Sequence, residues 1–304
     1  MPIVRPTEAR PKSRVLRRVL LALLVLAVVG YGGALVHLML GETELIFRTS
    51  VARADTRPPF AYTQVDLPRT DGVRQFAWRM PGGGNGGSDA GRSTGDGGLW
   101  VLFLHGNAST VASRMNVKHC ARLVEMGVNV LAPEYRGYNG LSGVPTEASV
   151  AEDARAAYDY LRATERVPAE RLVIFGWSLG AAIAVDLASQ VEARAVILEG
   201  APDSVVDIGQ QRYPLFPIKL IIRNPFNAIE RIGRVRAPLL FLHSPEDAVV
   251  PFVHGRRLFD AAPAPKTFVE VRGGHIESSE IDRDVFYGAI ARFLSLSATP
   301  LLSR

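Results

Sequence analysis

Apolar and polar positions fall into distinct regimes along the chain. From Val19 to Leu40 no side chain is formally charged, and most are Leu, Val, Ala or Gly. As a helix these 22 residues extend about 33 Å, enough to cross a hydrocarbon core of about 30 Å. The run shows no polar face, unlike a core helix. It exceeds the roughly 7–15 apolar residues of a signal peptide, and Gly41-Glu42-Thr43-Glu44 offers no clean small-x-small cleavage site. The pattern therefore predicts an uncleaved signal anchor over 19–40, with one ionisable group, His37, near its far end. A mixed connector with Pro58 and Pro59 follows over 41–61. Tyr62–Leu67 and Val73–Met80 then read as strands around a turn at Thr70-Asp71-Gly72. Residues 81–98 carry no large apolar side chain and read as a flexible Gly-rich hairpin loop.

From Leu99 onward, short apolar runs of strand length alternate with segments of helical period. Strands are predicted at Leu99–Leu104, Val128–Ala132, Leu172–Phe175, Ala195–Leu198, Leu239–Leu242 and Thr267–Val271. Helices are predicted at Ser109–Met126, Thr146–Thr164, Leu179–Gln190, Pro251–Ala262 and Glu280–Leu294. Such alternation predicts an α/β fold, a mostly parallel central sheet with helices on both faces. The two early strands make its antiparallel edge. Residues 201–236 break the rhythm and read as a short lid insertion in a domain spanning 62–298.

The net charge of +5 changes meaning once it is located. Residues 1–18 hold six basic groups and one acid, so this basic tail carries the whole excess and the remainder is neutral. A nucleic-acid-binding domain needs its basic surplus on the folded body, so no nucleic-acid partner is expected. The tail should stay cytoplasmic under the positive-inside rule, which puts the body on the extracytoplasmic side. Only four of the 35 basic residues are Lys. That skew to Arg, with abundant Ala, fits a GC-rich bacterial genome, and hence the periplasm. The single cysteine, Cys120, excludes an internal disulfide framework. No His, Glu or Cys run has metal-ligand spacing, so neither metal nor other cofactor is expected.

Gly176-Trp177-Ser178-Leu179-Gly180 matches G-x-S-x-G between a predicted strand and a predicted helix. A sharp turn there presents the hydroxyl of Ser178 at the end of the sheet, and the glycines leave room for the backbone. A hydroxyl nucleophile needs a base, and the base needs an orienting acid. On such sheets the acid precedes the histidine along the chain. Asp247 follows the strand ending near His243, and His275 follows the strand Thr267–Val271. Both lie past strand C-termini, where open α/β sheets build their sites. Glu246 is the rival acid. His105-Gly106-Asn107-Ala108 follows the first parallel strand. The N–H of Asn107, with Ala108 as the rival, and the N–H of Leu179 are the candidate oxyanion donors. His105 reads as a packed structural histidine.

At these residues the chain resembles the α/β-hydrolase superfamily, and more narrowly the membrane-anchored α/β-hydrolase-domain serine hydrolases. The resemblance rests on Leu104-His105-Gly106-Asn107-Ala108, Tyr135-Arg136-Gly137-Tyr138, Gly176–Gly180, Leu198-Glu199-Gly200, Pro238–His243 and Gly274-His275. It implies that Ser178, Asp247 and His275 act as nucleophile, acid and base, on ester, thioester or amide bonds. Relatives often carry Asp where Glu134 stands, and Asn-Asp where Ile276-Glu277 stands. In the lid region, Phe216 and Ile218 belong to an apolar stretch suited to an acyl chain. With Trp177 they are the candidate substrate-contacting residues, for a small acyl-ester or lipid-like substrate. Glu199 or Glu277 would hold a substrate amine if the activity were peptidase-like.

Overall fold

The computed structural model describes residues 12–69, 71–83 and 98–295. The chain divides into two compact units, Met1–Glu42 and Thr43–Arg304. The first is the helix α1 (Lys12–Phe47), whose last turn, from Thr43, belongs to the second unit. Arg14–Phe47 is long and apolar enough to cross a membrane, and its most apolar window is unburied. The expected tail, 1–18, lies outside the described residues up to Pro11.

In the second unit the elements run in chain order. They begin β1 (Thr63–Asp66), β2 (Phe76–Met80), β3 (Trp100–Leu104), α2 (Arg114–Glu125), β4 (Asn129–Pro133) and α3 (Glu147–Ala163). Next come β5 (Leu172–Trp177), α4 (Leu179–Ala188), β6 (Ala195–Glu199), α5 (Val205–Arg212), α6 (Ile218–Ile221) and α7 (Ala228–Arg231). The chain ends with β7 (Leu239–His243), α8 (Phe252–Ala261), β8 (Lys266–Glu270), α9 (Ser278–Ile281) and α10 (Arg283–Leu294). One eight-stranded sheet has the order β1-β2-β4-β3-β5-β6-β7-β8. Pairs β1–β2 and β2–β4 are antiparallel, and every other pair is parallel.

Every residue of β3 to β7 is buried, as a parallel sheet covered on both faces requires. Side chains alternate between two cores because successive residues point to opposite faces. Trp100, Leu102 and Leu104 of β3 join Ala154, Ala157 and Leu161 of α3 and the apolar residues of α4. Val101 and Phe103 join Val117 and Leu123 of α2 and Phe286 and Ile290 of α10. Cys120 is buried in that second core, where desolvation pushes its thiol well above the ordinary range.

Three local expectations are corrected. The segment 81–98 is not a hairpin connection, because β4 lies between the strands it joins; its residues 84–97 lie outside the described residues. The helix expected from Ser109 begins only at Arg114. Residues 109–113 instead form turns, in which Thr110 N–H donates to Ser113 Oγ at 2.9 Å and Asn116 Nδ2 donates to Thr110 O at 2.7 Å. The helix expected over Glu280–Leu294 is broken at Asp282, whose carboxylate accepts the N–H of Arg272 at 3.0 Å. Other boundaries follow their local chemistry. Thr146 caps α3 through a reciprocal pair of bonds with Ser149. Gly127, at φ 81°, ends α2: its N–H bonds Val124 O while Val128 N–H bonds Leu123 O.

Candidate active site

β5 delivers Ser178 at φ 55° and ψ −122°, a region in which L-residues are rarely found. The two flanking glycines are required by close approach. A Cβ on Gly176 would lie 2.3 Å from Gly180 O, and one on Gly180 would lie 2.0 Å from Leu104 O. The turn is pinned from the neighbouring strand, since Ser178 N–H donates to Glu199 O at 2.8 Å.

After β8 the chain runs Val271-Arg272-Gly273-Gly274 to His275, with Gly273 at φ 96°. His275 Nε2 lies 2.7 Å from Ser178 Oγ. Its Nδ1 lies 2.6 Å from Asp247 Oδ2. Asp247 Oδ1 accepts the N–H groups of Val249 at 2.9 Å and Val250 at 2.8 Å, so the loop after β7 fixes the carboxylate. Burial pushes the Asp247 carboxyl up. Hydrogen bonds from His243 and His275 outweigh that and hold it well below the usual carboxylate range. An ionised carboxylate at Nδ1 places the imidazole proton there and leaves Nε2 to accept from the serine. The rival acid, Glu246, is exposed, and it is Asp247 whose oxygen reaches the ring.

The loop after β3 lies against Ser178, since a Cβ on Gly106 would stand 3.2 Å from Ser178 Cβ. Leu179 begins α4, so its N–H is one of the helix-terminal donors without an intrahelical acceptor. Of the two donors weighed in the loop, Ala108 N–H is engaged by Phe47 O at 3.0 Å. Asn107 donates through its side chain to Ile46 O at 2.7 Å. His105 is fully buried; its Nδ1 lies 2.8 Å from Gly106 O and its Nε2 3.0 Å from Glu134 Oε1. Glu134 Oε2 also accepts Val111 N–H at 3.1 Å. Glu134, just past β4, thus ties that strand end to the loop through His105 and Val111.

Trp177 is buried and stacks with two imidazoles. Its ring lies 5.3 Å from that of His119 at 18° and 6.3 Å from that of His275 at 28°. Phe216 lies in the turn between α5 and α6, and Ile218 begins α6. There Gln210 Nε2 donates to Phe216 O at 3.0 Å and Gln210 Oε1 accepts Ile218 N–H at 3.2 Å. Ile218 is buried, against Gly209.

Sequence reasoning missed His119. Its Nδ1 lies 2.9 Å from Met115 O and its Nε2 2.8 Å from Glu199 Oε2, so both ring nitrogens face acceptors. Burial pushes His119 down, but the charge and hydrogen bond of Glu199 outweigh this and raise it above its ordinary value. Glu199 Oε1 accepts Ser278 Oγ–H at 3.4 Å, three residues beyond His275. Glu199, one of the two carboxylates expected to hold a substrate amine, is therefore buried and spent on internal partners. No sequence signal marks His119, because its partner stands 80 positions away.

Residues 101–270 match the model of the alpha/beta hydrolase family. The chain belongs to the α/β-hydrolase family. It is 36% identical over 229 residues to an uncharacterized protein of Mycobacterium tuberculosis, covering 75% of this chain and 77% of that one. It is 31% identical over 226 residues to the alpha/beta hydrolase domain-containing protein 17C of Xenopus tropicalis, covering 72% and 68%. Among solved structures it is similar to the esterase domain of a Rhodothermus marinus protein, at 26% identity, TM-score 0.55 and coverage of 77% and 99%. A Pyrococcus furiosus esterase shares the α/β-hydrolase fold at 18% identity, TM-score 0.63 and coverage of 78% and 91%.

Proposed function

We propose that this α/β-hydrolase is a serine hydrolase that cleaves carboxylic ester or thioester bonds through an acyl-enzyme. The observation that carries the reading is the two-bond relay from Ser178 Oγ through His275 to Asp247, at 2.7 and 2.6 Å. The esterase neighbours support it. In the proposed reaction Ser178 Oγ attacks the acyl carbonyl while His275 Nε2 takes the hydroxyl proton. Asp247 stabilises the imidazolium so formed. The N–H groups of Leu179 and Asn107 receive the developing oxyanion. Collapse of the tetrahedral intermediate expels the alcohol or thiol, which takes the proton from His275. Water then repeats the sequence on the acyl-enzyme and releases the acid. Trp177, Phe216 and Ile218 are proposed to shape the acyl side of the site.

Ser178→Ala is expected to abolish ester turnover and covalent labelling by a fluorophosphonate, with the circular dichroism spectrum unchanged. Full turnover in that variant would refute the assignment. We propose further that α1 is a single-pass signal anchor with a cytoplasmic N-terminus and an extracytoplasmic, periplasmic catalytic domain. The charge-free stretch 19–40 behind a basic tail supports that topology.

A further inference from the structure

The last four carbonyls of a helix have no intrahelical partner and must find one elsewhere. At the end of α1, Glu44 O accepts Arg48 N–H at 3.0 Å as Arg48 turns the chain at φ 53°. The final two carbonyls point into the body. Ile46 O accepts Asn107 Nδ2–H at 2.7 Å. Phe47 O accepts two donors, Ala108 N–H at 3.0 Å and Tyr138 Oη–H at 2.6 Å. The Phe47 side chain is wholly buried, its ring 5.8 Å from that of Phe226 in an edge contact. The alignment continues past the helix. Arg53 O accepts Ser113 Oγ–H at 2.6 Å, and Thr56 N–H donates to Ala112 O at 2.9 Å.

The loop so held is the one beside the nucleophile. Ala108 sits at φ 55°, a conformation that costs a non-glycine residue energy and persists only where its surroundings hold it. The bond to Phe47 O holds it here, and commits the Ala108 N–H to that carbonyl. The peptide of Asn107 is then held from both sides, by its own side chain on Ile46 O and by the next N–H on Phe47 O.

We infer that Ile46 and Phe47 are positioning residues for the oxyanion loop, so that the end of α1 is a component of the active site as well as its attachment. The inference rests on the hydrolase reading above. It is tested on the full-length protein with Phe47→Ala, Phe47→Leu and Asn107→Ala. Reactive serines are counted by stoichiometric fluorophosphonate labelling, and turnover of a short-chain p-nitrophenyl ester is expressed per labelled serine. Misplacing an oxyanion donor lowers the chemical step rather than binding. Phe47→Ala and Asn107→Ala should therefore lose about 10- to 100-fold in kcat per labelled serine. KM should stay within about threefold and the pH profile should not move. Phe47→Leu, which keeps an apolar anchor, should recover most of the loss. Wild-type kcat per labelled serine in Asn107→Ala and in the foldable Phe47 variants, with only fewer labelled molecules, would reduce the contacts to fold maintenance and overturn the inference. A wild-type protein that neither labels nor turns over would overturn the hydrolase reading, and this inference with it.

Discussion

Two adjacent carboxylates, Glu246 and Asp247, compete in sequence for one role, and geometry separates them. The Asp247 carboxylate is buried against the N–H groups of Val249 and Val250 and the ring of His275, whereas Glu246 is exposed. Asp247→Asn should lower turnover by on the order of 10⁴-fold, the scale for losing the correct imidazole tautomer. Glu246→Gln should stay within about tenfold, because an exposed neighbouring charge only tunes the base. Assaying both variants with one ester at one pH decides the matter, and a crippled Glu246→Gln would reverse the assignment. The buried His119–Glu199 pair makes a different prediction, about stability. His119 is raised in the folded state, so the stability it contributes is complete below about pH 6.5 and is lost as pH rises through the folded value. Between pH 6 and 9 the wild-type Tm should fall more steeply than that of the double variant His119→Gln/Glu199→Gln. Parallel melting curves would show that the pair does not titrate there.

At the scale of elements, what was legible depended on how local the cause was. The buried strands β3 to β7 read correctly because a sheet covered on both faces needs unbroken apolar runs. Ser178, Asp247 and His275 could be picked out because each follows a strand end, and the structure brings the three within hydrogen-bonding distance. The start of α2 did not, since side-chain bonds among Thr110, Ser113 and Asn116 outcompete helix over 109–113. The role of Phe47 was hidden as well: its partners Ala108, Tyr138 and Phe226 are brought to it by the fold, and an apolar helix end looks the same wherever it docks. Glycines give the sharpest test at this scale. Gly180→Ala puts a methyl 2.0 Å from the Leu104 carbonyl, where only backbone movement of β3 against α4 makes room. It should cost at least about 1–3 kcal/mol and most activity. Gly233→Ala meets nothing within 4 Å and should change stability by no more than about 0.5 kcal/mol. Thermal denaturation of the pair, with equal losses in both, would contradict the close-packing account of the nucleophile turn.

For the whole molecule, the expected topology has a direct measurement. The protein should remain with membranes through an alkaline wash, and its body should be digested by protease added to spheroplasts. Protection of the body would reverse the proposed orientation. The scatter of the triad along the chain has a consequence for biosynthesis. Ser178 and His275 stand 97 residues apart, and the histidine follows β8, the last strand at one edge of the sheet. A ribosome has made both α1 and the turn at Ser178 long before it makes His275. On the proposed mechanism the nascent polypeptide is thus chemically silent until His275 has emerged. If α1 directs export, the proposed relay is first complete on the far side of the membrane, and no precursor carries it in the compartment where it is synthesised.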